Sequence, residues 1–555
     1  MTPILAHILL LLMIVHGLCF ASGKIYTSKH KLYKSNQNHN LNEISLSSSS
    51  STVLTVSPSS SSSFDEYDSN NNEKKKSIAL IASKNHNNII ENSNSSSFFS
   101  SLLIMSIGAI MTGIMTGMMQ LRIRKVLILL DSFHQHQINN NYFSVFIHLI
   151  GAIFVSIAYK FLKSSLYQGP ASIVSESDSQ LGGFNLISSI SRLLACTLLV
   201  GTGVPLAFTG ASVEMAMSNA KIISNIIKKI LPISMHASKN EVKGFICACA
   251  AAGLAANFNS PLAGIFWANE ISYHLIKSSS SSSSLLLSRL NYVIVATLCA
   301  LSATFITSHG TFDPVSILGA ATTTAPTSTT ITTILTNLVT IFNMKSTVNL
   351  IFPAITIGFV MGLVSHGVSS GKSRHLSPRW NSIPSYTKLP DSIKPLRIGL
   401  LSLILFFKGV NLSLPSGFAI ATRSIQTTTT TTTTLEFIKQ NLLYASLWHA
   451  LPRLYILLGA VGGLLGPVLI EGVTLGAGGY CLLMKYIPIL KNIMSISTAA
   501  HLGGAALLAA SFEAPWMAAA LMWELTRTST LCIPTIIACM VSNKVNKKLK
   551  DEMTK

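Results

Sequence analysis

The chain has 555 residues, of which 49% are hydrophobic and only 11% are charged, whereas roughly a quarter are charged in an ordinary soluble domain. This balance excludes a simple soluble globule and indicates a membrane protein. The 40 Lys and Arg residues outnumber the 20 Asp and Glu residues, but they lie in the head and beside apolar segments, where membrane orientation and anionic lipid explain them better than nucleic acid does.

The first hundred residues are predicted to carry targeting information. Residues 4–20 form an apolar stretch beside Ala21, which is typical of a cleaved secretory signal, and we assign the signal to residues 1–21. Residues 22–98 are rich in Ser and Asn and are predicted to be disordered, because this composition cannot bury a core. A signal followed by a Ser-rich, Lys-bearing segment resembles the bipartite presequence of nucleus-encoded plastid proteins in algae with secondary plastids. A secretory or endomembrane protein with a polar lumenal head is the alternative.

Residues 99–545 are predicted to form an all-helical, multi-pass membrane domain. Apolar runs recur from Ser101 onward and are separated by short polar breaks. Several runs are shorter than the roughly 20 residues that a full crossing requires, or are interrupted by Gly and Pro. Broken helices at membrane depth are tolerated only where they are buried in protein or line a wet cavity, so they indicate a transport site. Residues 546–555 form a basic tail.

The membrane domain contains an internal repeat with a constant offset of 254 residues. Runs of small residues recur by chance in membrane helices, but chance does not explain a fixed register that carries Phe, Pro and Glu. We therefore interpret residues of about 101–276 and 347–545 as two copies of one unit, with a transport site between them. The residues that recur are Ala251, Ala252, Leu254, Ala255, Ala256, Phe258, Pro261 and Glu270, which return as Ala505, Ala506, Leu508, Ala509, Ala510, Phe512, Pro515 and Glu524.

Two glycine-broken apolar segments, 201–211 and 459–467, occupy similar positions in the two copies. A break that opens into a helix leaves unpaired backbone N–H groups and roughly half a positive charge at the new N-terminus. Such ends bind anions, and several partial charges allow a small monovalent ion to enter and to leave. No Lys or Arg occurs between Arg192 and Lys221. The predicted anion-binding residues are Gly201, Gly203, Pro205, Phe208, Thr209, Gly210, Gly463, Leu465, Gly466 and Pro467, and the hydroxyls of Thr202 and Ser212 are further candidate donors.

Three motifs in the repeated units resemble those of the CLC family of chloride channels and proton-coupled chloride exchangers. Residues 203–214 resemble a divergent G-x-x-G-P signature, 250–265 resemble the family's next motif, and 462–467 resemble its G-x-F-x-P segment. The resemblance implies a CLC-like fold of two inverted halves and a homodimer with one anion pore in each subunit. The paired cytoplasmic CBS modules of many relatives have no counterpart before Lys555, so regulation by nucleotides through them is not expected.

Departures from the family pattern favour a passive channel over an exchanger. The position of the exchangers' gating glutamate is Thr209, and the position of their inner proton-carrying glutamate is Ile271. Neither side chain titrates, so the resemblance implies that the relay for proton exchange is missing. The alternative is an alignment shifted by one residue, in which Glu270 is the inner proton site.

Further expectations concern the central site and two repeated glutamates. The segment of the central site is best matched by Gly169, Pro170 and Ser172. Pro170 would then stand where the family has a serine, a change that tends toward nitrate, and Ser172 is the other candidate ligand. Glu270 and Glu524 are repeat-equivalent, which favours a structural role, such as capping a helix end or lying at a dimer interface.

The sequence thus predicts a passive channel for chloride, with nitrate as a further candidate, in a plastid membrane or an endomembrane. Its expected partners are small monovalent anions, membrane lipid and a second copy of the chain, without nucleic acid. Residues 367–371 fit G-x-S-x-G but do not join a strand to a helix, so we expect no enzyme activity, catalytic residue, cofactor or metal site. A proton-coupled exchanger of the same fold and a degenerate, non-conducting subunit are the rival interpretations.

Overall fold

The structure is a computed structural model, and it describes most of the membrane body. The described residues are 102–127, 186–201, 203–230, 239–272, 285–308, 344–370, 414–426, 435–458, 462–487 and 493–554, together with a few isolated positions between them. The signal-like segment 1–21, the head 22–98 and the central-site candidates Gly169, Pro170 and Ser172 lie outside the described residues.

The regular secondary structure of the described residues is helical. Up to residue 308 its helices are α1 (Leu102–Leu127), α2 (Leu186–Gly201), α3 (Thr209–Ile230), α4 (Lys239–Cys249), α5 (Ala251–Phe258), α6 (Pro261–Trp267) and α7 (Leu285–Thr307). From residue 344 onward they are α8 (Met344–Ser370), α9 (Leu414–Gln426), α10 (Leu435–Leu457), α11 (Leu465–Tyr486), α12 (Ile496–Phe512), α13 (Pro515–Thr526) and α14 (Cys532–Thr554). A π-helical turn, Ala268–Ser272, extends α6. Within these ranges no strand is formed, and the all-helical prediction is confirmed.

Full-length and short apolar helices occur together in the body. Three described segments are long and apolar enough to cross a membrane, namely α1, residues 241–258 and α11. Shorter apolar segments lie at 189–201, 291–307, 349–365 and 496–512. Large apolar side chains are exposed on α1 and α8, which is how a surface in contact with lipid is built. These side chains include Leu103, Ile107, Met111, Phe352 and Phe359.

The repeated sequence folds into the same helix–turn–helix in both halves. α5 is followed by Asn259 at φ 51°, and α12 is followed by Glu513 at φ 56°. The next residues are also alike, with φ −127° and ψ 79° at Ser260 and φ −128° and ψ 74° at Ala514. α6 and α13 then each begin with Pro, whose fixed φ suits the first position of a helix. The internal repeat is therefore a repeat of backbone conformation as well as of sequence.

Close helix contacts hold the second half together. A Cβ placed on Gly472 of α11 would lie 2.7 Å from the carbonyl oxygen of Gly503 in α12, and one on Gly503 would lie 2.6 Å from the carbonyl oxygen of Gly472. Small residues of this kind let membrane helices approach and pack closely. α11 also contacts α9 and α10, so several helices hold it in place.

Buried carboxylates in the body are paired with cations. Arg192 of α2 forms an ion pair with Glu214 of α3, and both residues are buried. Glu471 of α11 accepts a hydrogen bond from Arg453 of α10 at 3.2 Å and lies 2.6 Å from Nδ1 of His449. Pairing is how a protein tolerates charge at membrane depth. These carboxylates therefore join neighbouring helices.

Candidate anion site

Two hydrogen bonds join the two glycine-broken segments. The N–H of Ala207 donates to the carbonyl oxygen of Gly463 at 2.9 Å, and the N–H of Gly463 donates to that of Ala207 at 2.5 Å. The pair is an isolated antiparallel bridge. Since 463 is 207 plus 256, the offset that places 210 opposite 466, the bridge joins equivalent positions of the two copies. Equivalent segments that run antiparallel are related by a local two-fold axis, as two inverted halves require.

Two helices begin directly after this bridge. α3 begins at Thr209, and its first backbone hydrogen bond runs from the N–H of Ser212 to the carbonyl of Phe208 at 3.0 Å. α11 begins at Leu465, and its first runs from Val468 to Leu464 at 2.9 Å. In the described part of the chain, the backbone N–H groups of residues 209–211, 465 and 466 have no acceptor. The positive ends of two helix dipoles thus meet at one bridge.

Glycine leaves little spare room at the closest approach of the two segments. A Cβ on Gly463 would lie 3.2 Å from the carbonyl oxygen of Ala207 and 3.4 Å from the nitrogen of Gly210. A Cβ on Gly210 itself would meet nothing within 4 Å, so the space beside the start of α3 is open. Gly203 has φ 92°, a conformation that side-chain-bearing residues rarely adopt. The glycines therefore fix the junction and leave room next to its free amides.

The structure brings most of the predicted site residues together. Gly201 ends α2, and Gly203 and Pro205 form the turn that leads to the bridge. The residues at the two helix starts are Phe208, Thr209, Gly210, Gly463, Leu465, Gly466 and Pro467. Thr202 lies outside the described residues. Ile271 lies in the π-helical turn, and its side chain is likewise outside what is described.

Side chains from α1 and α5 complete the polar surroundings of Thr209. The buried hydroxyl of Thr209 accepts a hydrogen bond from Nδ2 of Asn257 at 2.6 Å. Oδ1 of Asn257 accepts one from Nε2 of Gln120 at 3.3 Å, and Oε1 of Gln120 accepts one from the hydroxyl of Ser212 at 3.1 Å. Sequence reasoning missed Gln120 and Asn257. Gln120 is a lone amide in an apolar run, and Asn257 stands beside Asn259 in another, which is the only signal the sequence offered.

A cation also lies close to this cluster. Nη2 of Arg124, on α1, donates to the carbonyl oxygens of Ala256 at 2.5 Å and Asn257 at 2.8 Å. Among the residues that the structure describes, no carboxylate pairs with Arg124, and its Nε and Nη1 are buried without a partner. The stretch around Thr209 contains no Lys or Arg, so the sequence indicated no full charge there. The fold supplies one from a distant part of the chain.

Glu270 and Glu524 cap helices across the two halves. The carboxylate of Glu524 accepts hydrogen bonds from the N–H groups of Leu262 and Ala263, both at 3.0 Å, at the start of α6. The carboxylate of Glu270 accepts them from the equivalent residues at the start of α13, Trp516 at 3.0 Å and Met517 at 2.8 Å. A carboxylate at a helix N-terminus satisfies free donors and favours the dipole. Each half thus caps the other.

Known proteins resemble the chain in sequence pattern and in fold. Residues 150–547, more than half of the chain, match the family described as voltage gated chloride channel. The chain is 18% identical to a slow cyanobacterial Cl⁻/H⁺ antiporter, with a TM-score of 0.60 over 80% of this chain and 95% of that one. It is 15% identical to a eukaryotic CLC transporter, with a TM-score of 0.52 over 81% of this chain and 72% of that one.

A third solved structure, a CLC-type fluoride/proton antiporter, is 16% identical, with a TM-score of 0.50 over 80% of this chain and 96% of that one. No curated protein matches the chain. At identities this low, similarity to the solved structures establishes the fold alone.

Proposed function

We propose that this chain, which belongs to the voltage-gated chloride channel (CLC) family, conducts small monovalent anions passively past the junction of α3 and α11. Anion transport is the activity of this family, and the chain is an integral membrane protein. Chloride is the proposed ion, and nitrate is a further candidate. Membrane lipid and a second copy of the chain are its proposed partners, in a plastid membrane or an endomembrane.

The observation that carries the proposal is the bridge between Ala207 and Gly463. It sets the free amides at the start of α3 beside those at the start of α11. Several partial positive charges favour an anion without the tight hold of a contacting Lys or Arg. The open space beside Gly210 supports access of an ion to these amides.

Two positions support passive conduction over proton exchange. Thr209, at the start of α3, has no ionisable group, so it cannot carry a proton or compete with the anion as a carboxylate does. Ile271 is apolar and cannot take up a proton either. Glu270, the alternative inner proton site, uses its carboxylate to cap α13. A stoichiometric proton relay would therefore lack groups at both of its ends.

The direct experiment is ion flux in liposomes that contain the purified full chain. Under a potassium–valinomycin clamp, we expect chloride efflux with no accompanying movement of protons. Proton uptake driven uphill by a chloride gradient would establish an exchanger instead. Absence of any anion flux from folded protein would establish a non-conducting subunit. Replacing chloride by nitrate or bromide in the same assay ranks the permeant ions.

A further inference from the structure

Among the described residues, one hydrogen-bonding role of the Thr209 hydroxyl is filled and one is left free. A threonine hydroxyl carries one proton and two lone pairs. Asn257 donates to its oxygen at 2.6 Å. In the described part of the chain, no group accepts the hydroxyl proton. Thr209 is also the first residue of α3, next to the free amides of Gly210 and Ala211.

The bond from Asn257 is the last in a chain of hydrogen bonds. The hydroxyl of Ser212 lies 3.1 Å from Oε1 of Gln120, and Nε2 of Gln120 lies 3.3 Å from Oδ1 of Asn257. All these side chains are buried. Donation therefore runs from Ser212 through Gln120 and Asn257 to Thr209. A chain in this direction leaves a donor, the Thr209 O–H, at its free end.

The same atoms allow the opposite direction of donation. The Ser212 hydroxyl also lies 3.1 Å from the carbonyl oxygen of Phe208, an alternative acceptor for its proton. With both amides rotated, Gln120 would donate to Ser212, Asn257 to Gln120, and Thr209 to Asn257. Thr209 would then present a lone pair, which repels an anion. No covalent bond changes, because every member of the chain is neutral and keeps its protons.

Two further observations single out Asn257 as the residue that orients the Thr209 hydroxyl. Arg124 donates to the carbonyl oxygen of Asn257 at 2.8 Å and so holds that residue in place. In the second half, the position of Thr209 is Leu465 and that of Asn257 is Ser511, which contacts Ser365. The hydroxyl–amide pair is thus specific to the α3 side.

We propose that Asn257 is a positioning residue for the permeating anion: it holds the Thr209 hydroxyl with its proton free to donate to the ion at the start of α3. This inference rests on the proposed function. Asn257 does not contact the ion itself. It sets the affinity for the anion through Thr209.

The test measures chloride flux against chloride concentration in liposomes, for the full chain and its variants. Asn257→Leu and Thr209→Val should each raise the half-saturating concentration about tenfold, the effect of one hydrogen bond to a charged group. Asn257→Asp should raise it further, because a carboxylate only accepts and makes Thr209 donate toward it. Asn441→Leu is the matched control. Asn441 is another buried amide, bonded to Ser424 on the α9–α10 contact, and its loss should leave the half-saturating concentration unchanged.

The double variant separates positioning from a structural role. If Asn257 acts through Thr209, then Asn257→Leu combined with Thr209→Val should match Thr209→Val alone. Effects that multiply, or an Asn257→Leu variant equal to wild type, would overturn the inference. If Asn257→Leu does not fold, Gln120→Leu decides in its place, with an expected rise of about threefold that also vanishes beside Thr209→Val. A wild-type protein without flux would instead refute the proposed function.

Discussion

The turn from α5 to α6 and the turn from α12 to α13 share a backbone but differ in the side chains around them. Both contain a left-handed residue, and each following helix is capped by a glutamate of the other half. The carbonyl of Ala256 accepts from the charged Arg124, whereas that of the equivalent Ala510 accepts at 2.6 Å from the neutral Asn546. The backbone builds the same helix ends twice, but the donor to the equivalent carbonyl is a cation in the first half and a neutral amide in the second.

The largest effect is expected where the two halves are alike, at the exchanged caps. Glu524→Ala should lower the free energy of unfolding in detergent by about 2–4 kcal/mol, because it strands two N–H groups at the start of α6. Glu270→Ala should cost less, since it caps the half-exposed Trp516, whereas Glu524 caps the fully buried Ala263. Glu513→Ala is the control, because Glu513 is paired with Lys550 at the surface, and it should cost under about 1 kcal/mol. Equal losses for all three would show that the caps are not structural.

A carboxylate at the start of α3 should remove the difference between this chain and an exchanger's gate. Thr209→Glu should reduce chloride flux at pH 7 by about tenfold or more, because an ionised glutamate competes for the free amides. Flux should recover as the pH falls toward the ordinary glutamate pKa of about 4.3, where the side chain becomes neutral. Wild-type flux should show no such step. An unchanged flux in the variant would show that Thr209 does not lie in the pore.

The open space beside Gly210 allows a steric test of whether the ion passes the start of α3. Gly210→Leu should fold normally and reduce flux about fivefold, because its side chain enters the space next to the free amides of α3. Gly479→Leu on α11 is the matched control, since a Cβ there also meets nothing within 4 Å. We expect it to leave flux unchanged. Equal effects of the two variants would mean that the space at Gly210 is not part of the ion path.

Arg124 should affect anion binding more than Asn546, the neutral residue that donates to the equivalent carbonyl in the second half. Arg124→Gln should raise the half-saturating chloride concentration about threefold by removing positive charge near the site, and Arg124→Lys should restore most of the affinity. Asn546→Leu should change stability but not the chloride concentration dependence. If Asn546→Leu changed that dependence more than Arg124→Gln does, Arg124 would not be the residue that favours the anion.

The smallest effect is expected at Leu465. Its contribution to the proposed site is its backbone N–H, so a side chain of similar volume should serve equally well. Leu465→Met should therefore alter flux by less than about twofold, as a volume-conserving apolar exchange. A change in halide selectivity at this position would show that the side chain, and not only the backbone, meets the ion.

Local features of the fold followed from the sequence, and long-range contacts did not. The glycine breaks predicted where α3 and α11 begin, and the repeat predicted equivalent structures around Glu270 and Glu524. The exchange of these two caps depends on packing between halves, which a single sequence does not reveal. Gln120 and Arg124 contact α5 across more than 130 residues. Helical periodicity assigns such side chains to a face, but it does not say which helix the face meets.

We propose above that an anion binds where the starts of α3 and α11 meet. Anomalous diffraction from crystals of the full chain grown in bromide tests it directly. We expect a bromide peak within hydrogen-bond reach of the free amides of residues 209–211 and 465–466, weakened by Thr209→Glu. Bromide peaks confined to other parts of the protein, with this junction empty, would contradict it.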